Sequence, residues 1–109
     1  MRFDGKVALV SGAGSGIGRA TAMGFAARGA KVAVADIDKA KAESVAGEIA
    51  RAGGTAVAIA ADAGKPEGID AMIGGAVQAF GGLDILHNKS PSRLARRRRS
   101  SPEWERLPG

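Results

Sequence analysis

A three-layer, doubly wound α/β domain, a parallel sheet with helices on both faces, is what this sequence predicts, and three observations carry the prediction. Short apolar, β-branched runs alternate with longer stretches whose apolar residues recur at helical spacing, the junctions are marked by glycine, and the unit repeats along residues 1–88. Strand and helix in strict alternation imply right-handed crossovers, hence parallel strands and helices packed on the sheet.

Each element has its own justification. Residues 6–11 (KVALVS) form a run of the kind buried on both sheet faces, with a glycine cluster behind it. From Ile17 a helical spacing takes over, placing Ile17, Ala20, Thr21, Gly24 and Phe25 on one face, and Gly29 stands where a helix should stop. The second strand is read at 31–36 (KVAVAD). The second helix covers 39–52, with Ala42, Val45, Ala46 and Ile49 inward and Gly53 and Gly54 ending it. Residues 55–60 give a third strand. Pro66 then suits the first position of a helix that carries Ile69, Met72, Ile73, Ala76, Val77 and Phe80 at helical spacing. Residues 83–87 read as the fourth strand, after which the pattern stops.

Composition narrows the chemistry. The chain has 109 residues, the size of one domain, and no Cys, which excludes disulfides, thiolate metal sites and a cysteine nucleophile. Its longest apolar run, residues 56–61, falls far short of the roughly 20 residues needed to span a bilayer. A soluble, cytoplasmic chain without a targeting signal is expected. The net charge is +5, but residues 1–88 hold nine bases and nine acids, so the excess sits wholly in 89–109.

The chemistry-bearing residues gather at the ends of the strands. Ser11-Gly12-Ala13-Gly14-Ser15-Gly16-Ile17-Gly18 joins the first strand to the first helix. Glycines there let the backbone approach a diphosphate, and the N–H groups of the helix start present a positive dipole end to it. A close-packed strand-to-helix turn would look similar. Asp36 closes the second strand, near the separation from the glycines at which an acid accepts hydrogen bonds from an adenosine ribose diol. Its charge opposes a 2′-phosphate, and Ile37 stands where an NADP-selective pocket would carry Arg, so NAD is expected rather than NADP. The competing role for Asp36 is a cap for the helix starting near Lys39. Asp62, with Ala63 and Gly64 behind it, holds the matching place after the third strand, where it can contact an adenine ring or simply make an Asx turn.

SGAGSGIG, VADID, AADA and FGGLDILHN together resemble the N-terminal, cofactor-binding part of the short-chain dehydrogenases/reductases, a Rossmann-like family. Ser11, Gly12, Gly16 and Gly18 match its TGxxxGxG pattern with Ser for Thr, Asp62 matches its adenine-ring aspartate, and Asn88 matches the first residue of NNAG. The resemblance implies that Gly12, Ser15 and Ile17 serve the cofactor phosphate and ribose region and that Asn88 steadies the sheet beside the adenosine. It also implies hydride transfer between nicotinamide and an alcohol or carbonyl, performed with a Tyr-x-x-x-Lys pair. No Tyr occurs in this chain. It is therefore expected to be a partial NAD-binding domain over 1–88, cut off after about four strands, that binds NAD(H) weakly without turnover. No catalytic or metal-binding residue is assigned, and the family's subunit-contact helices are expected to be missing. His87, inside the fourth strand, is read as structural. The apolar edge at 83–86 is expected to leave the product marginally stable and prone to aggregate.

Residues 89–109 carry three Pro, four Ser and six Arg, the composition of a disordered basic tail. Three readings stand: a nucleic-acid-binding arm built on Arg96 to Arg99, an inert tail, or the product of a shifted reading frame. The last is favoured, because Asn and Lys codons differ only at the third base and a slip within a family-like HNNAG would give HNK. In a GC-rich gene the new frame would be rich in Arg, Pro and Ser. A small nucleic-acid-binding protein is the alternative function, and nucleic acid is not the expected partner.

Overall fold

The computed structural model describes residues 2–88. The expectations for 89–109, the tail and its arginine tract, lie outside the described residues. Four strands, β1 (Val7–Ser11), β2 (Lys31–Asp36), β3 (Thr55–Ala60) and β4 (Ile85–Asn88), alternate with α1 (Gly16–Ala27), α2 (Lys39–Arg51) and α3 (Pro66–Phe80). The sheet order is β3-β2-β1-β4 with every neighbouring pair parallel. The doubly wound prediction is met.

Side-chain alternation along the strands explains the layers. In β1 and β2 the even-numbered Ala8, Val10, Val32 and Val34 pack with Ala22 of α1 and with Ala42, Val45 and Ile49 of α2. Odd-numbered Leu9, Ala33 and Ala35 pack instead with Met72 and Ala76 of α3. Two cores thus sandwich one sheet, and β1 is buried on both faces from end to end. Leu9, Val10, Val32 and Val34 of this central pair of strands are each fully buried, at roughly 1.5–3 kcal/mol of hydrophobic stabilisation per side chain.

Local signals set the helix ends. Asp38 opens α2, its carboxylate accepting the Lys41 N–H at 3.3 Å, and Arg51 lies in the last turn, where a cation suits the carbonyl end of the dipole. Gly29, Gly53 and Gly81 follow the three helices, each with positive φ. Arg19 of α1 donates two hydrogen bonds, at 2.9 and 2.7 Å, to the carboxylate of Glu48 on α2. This bonding holds the Glu48 carboxyl below its usual range and lifts the Arg19 guanidinium above its own. Phe3 meets Phe25 edge to face at 5.3 Å and donates its N–H to the Arg28 carbonyl, closing the open end of α1.

Three expectations need correction. The inward stripe of α1 is Gly18, Ala22, Phe25 and Ala26, whereas Ile17 is 65% exposed and Ala20 is exposed too. Gly18 lies so close to the Gly12 carbonyl that a Cβ there would collide with the oxygen. That approach fixes the rotation of the helix, and small residues carry the packing. The fourth strand starts at Ile85, not at residue 83, and runs on to Asn88. Asp84 exchanges hydrogen bonds with Val7 just ahead of the ladder, its carboxylate accepting the Val7 N–H and its own N–H bonding the Val7 carbonyl, both at 2.9 Å. On α3, Val77 is 43% exposed, outside the stripe of Met72, Ile73, Ala76 and Phe80.

Candidate functional site

Parallel strands bring their carboxyl ends to one edge. Register sets Ser11 between Ala35 and Asn88, and Asp36 beside Ala60. The residues that follow these ends lie side by side although they are far apart in sequence.

The loop after β1 is folded tightly back on that edge. Gly12 and Gly16 take φ of +65° and +62°, which an L side chain rarely adopts. Ala13, fully buried, donates its N–H to the Ala35 carbonyl at 3.0 Å. The Ser11 hydroxyl, buried, donates to the Asn88 side-chain carbonyl at 2.6 Å and so binds the loop's root to the end of β4. Ser15 is the N-cap of α1, in extended backbone, yet its side chain makes no capping bond. The opening N–H groups of α1 have no carbonyl within the helix to bond, so an anion at this mouth would meet several donors and the positive dipole end.

Asp36 stands next to that loop. Its Oδ2 accepts the Gly14 N–H at 2.9 Å, its Oδ1 accepts the Asp38 N–H at 2.8 Å, and its backbone carbonyl accepts the Ala61 N–H at 3.1 Å. Each carboxylate oxygen retains a lone pair for a further donor. Asp62 Oδ1 accepts the Gly64 N–H at 2.8 Å, and the Asp62 carbonyl accepts the Lys65 N–H, which forms the Asx turn leading into α3. Gly12, Asp36, Ile37, Asp62 and Ala63 surround a cleft of about 200 Å³ with Met72 on its lining. Pockets for whole drug-sized ligands start at about 300 Å³. This cleft suits one flat ring, with the rest of a ligand outside it.

A model of the family described as short chain dehydrogenase matches residues 6–106. The chain belongs to the short-chain dehydrogenase family. Cyclohexanol dehydrogenase of Acinetobacter sp. (strain SE19) is 43% identical over 89 residues, 82% of this chain and 36% of that protein. A versicolorin reductase of Emericella nidulans is 46% identical over 90 residues, 82% of this chain and 34% of that protein. A crystal structure of hydroxysteroid dehydrogenase from Escherichia coli superposes with a TM-score of 0.78 at 37% identity, covering 88% of this chain and 45% of that one. The chain therefore spans about a third of the length of the curated relatives it matches.

The short-chain dehydrogenases bind a nicotinamide dinucleotide, and the residues of this edge fit one. Of the positions chosen from the sequence, Gly12, Asp36, Ile37, Asp62 and Ala63 share the cleft, while Ser15, Gly16, Ile17 and Gly18 form the mouth of α1 beside it. Asn88 lies across the end of β1 from Asp36, bonded to Ser11. Ile37, 71% exposed, borders the cleft from outside. His87 sits beside Val10 in the β4 register, and its Nδ1 is buried with no hydrogen-bond partner among the described residues. No group of three His, Cys, Asp or Glu suited to a metal occurs among the described residues, nor is any described helix long and apolar enough to cross a membrane.

Two contributors escaped the sequence reading. Asp38, not Asp36, caps α2, and its signal was present as an acid directly before the helical run. Gly14 contacts Asp36 through its N–H, a role with no signal, since the glycine spacing marks only its neighbours.

Proposed function

We propose that residues 12–18, 36–37 and 62–63 form the adenosine and diphosphate half of a site for NAD(H). The adenine ring enters the cleft between Ile37 and Asp62–Ala63, the ribose diol donates to the Asp36 carboxylate, and the diphosphate lies at the uncapped start of α1. When bound, the nicotinamide supplies the hydride-accepting and hydride-donating chemistry of the family. The observation that carries the reading is the placement of the Asp36 carboxylate between the phosphate loop and the cleft, with lone pairs left over for two hydroxyl donors.

The same carboxylate is the reason to prefer NAD. A 2′-phosphate about 4 Å from a carboxylate is repelled by about 4 kcal/mol at an effective dielectric of 20. Screening at this half-exposed position reduces that figure, and a preference of at least tenfold, ~1.4 kcal/mol, remains the expectation. The relatives' names point to alcohols and carbonyls as the reacting groups of a longer protein. These 109 residues contain no Tyr to act as the family's general acid/base, and we assign them binding without turnover. A chain without cysteine is compatible with a reducing compartment, and we propose the cytoplasm as its place of action. Calorimetric titration of the full chain with NADH and NADPH tests the reading: NADH should bind at least tenfold more tightly, and equal affinities or none for either would overturn it.

A further inference from the structure

We propose that Asp36 is also a positioning residue for the phosphate loop, so that the ribose and diphosphate subsites are energetically coupled through one carboxylate. The inference rests on the NAD(H) reading above and adds to it. A carboxylate that only read a ribose would need its lone pairs directed at the ligand. Here Oδ2 is engaged by Gly14 in the middle of the loop, and Oδ1 by Asp38 at the start of α2. With the bond from the Ala13 N–H to the Ala35 carbonyl, consecutive loop residues are tied to consecutive residues at the end of β2.

The packing around Gly14 points the same way. A Cβ on Gly14 would lie 2.7 Å from Asp36 Oδ2 and 2.6 Å from the Lys41 Cβ, so the loop is pressed against both the carboxylate and the first turn of α2. Loss of the Asp36 acceptor leaves the Gly14 N–H without its partner and loosens the loop beyond Ala13, whose bond to the Ala35 carbonyl becomes the remaining tie to β2. The N–H groups of Gly16, Ile17 and Gly18 then lose the support that orients them toward a phosphate. An amide in place of the carboxylate would not hold both bonds, because Asn has one acceptor oxygen where Gly14 and Asp38 each meet an oxygen, and its NH₂ would face one of the two N–H donors.

Electrostatics alone predicts the opposite outcome, and this makes the idea decidable. Removing a negative charge next to a diphosphate should strengthen diphosphate binding. The experiment compares adenosine with ADP on the full chain and on Asp36→Asn, by NMR titration, taking the affinity gained on adding the diphosphate as the readout. We expect that gain to fall at least tenfold in Asp36→Asn. A gain that is unchanged or larger would overturn the proposal, since a ribose reader lowers both affinities equally. Gly14→Ala keeps the charge and displaces the carboxylate sterically, and it should lower the same gain; an unaltered gain there also counts against the proposal. Amide exchange of the unliganded wild-type chain separates this failure from failure of the NAD(H) reading. The Gly14 amide should exchange at least tenfold more slowly than that of Gly82, and equal exchange would overturn the loop contact whatever the chain binds. Absence of adenosine and ADP binding with a protected Gly14 would sink the NAD(H) reading and, with it, the coupling.

Discussion

The two ends of the sheet are finished differently. At the β3 end, six residues of β3 pair with six of β2, α2 is capped by Asp38, and helices lie on both faces. At the β4 end, only four residues pair with β1, exposure alternates along the strand, and Leu86 is 50% exposed on its α3-facing side. On the other face of the sheet, the flank of α1 carries a shallow trough of about 380 Å³ lined by Phe3, Ile17, Ala20, Thr21, Phe25 and Arg28 among others. The candidate site draws on the well-covered half. Its carboxylates hang from β2 and β3, and only Asn88 comes from β4. The carboxylates of the site thus stand apart from exposed Leu86, while Ile17 belongs both to the mouth of α1 and to the trough, so the two ends can be perturbed separately at Asp36 and at Leu86.

The largest effect should come from the shared centre. Leu9→Ala removes a fully buried side chain between β1 and α3, and a loss of about 2–5 kcal/mol is expected in urea unfolding. Against the 5–15 kcal/mol that small domains usually have, such a loss threatens the whole fold. Gly18→Ala comes next. Its Cβ meets the Gly12 carbonyl, and about 1–3 kcal/mol of overpacking cost should appear together with loss of NADH affinity, because the helix start is levered away from the loop. Leu86→Lys probes the other end and should change stability by no more than about 0.5 kcal/mol while raising solubility. A large destabilisation there would mean that the β4 edge is covered in solution.

The smallest effect concerns pH. Glu48 and Asp4 are held below their ordinary range by hydrogen bonds from Arg19 and Arg2. A lowered carboxyl pKa adds stability above the unfolded value and loses it as pH falls through the folded one. Both pairs are solvent-exposed, so wild type and Glu48→Gln should have matching melting temperatures well below pH 4 and differ only slightly at neutral pH.

These expectations rest on features of unequal visibility in the sequence. β1 and β2 were legible because strands buried on both faces must be apolar throughout, and α2 because Ala42, Val45 and Ile49 are the only apolar stripe it has. The inner face of α1 was not, since the contacts that orient it are made by Gly18 and Ala22 while the larger Ile17 points outward. β4 was displaced by two residues because Leu83 is apolar yet belongs to the turn, packing on the α3 side, and nothing local marks Asp84 as the bracket to Val7. Of the apolar residues at 83–86, Leu83 and Ile85 are partly buried against the two cores and Leu86 is exposed. At the site, the residue types and spacing marked the glycines and Asp36. The hydrogen bond from Gly14 to Asp36 exists only once β1 and β2 are side by side.

We place dinucleotide binding on the edge formed by β1, β2 and β3, away from Leu86 on β4. Titrating the full chain with NADH and following backbone amides by NMR tests it most directly. Shifts are expected at Gly12 to Gly18, Asp36, Ile37, Asp62 and Ala63, with Phe25 and Leu86 unmoved. Shifts centred on Phe25 and Leu86, or none anywhere at millimolar NADH, would contradict it.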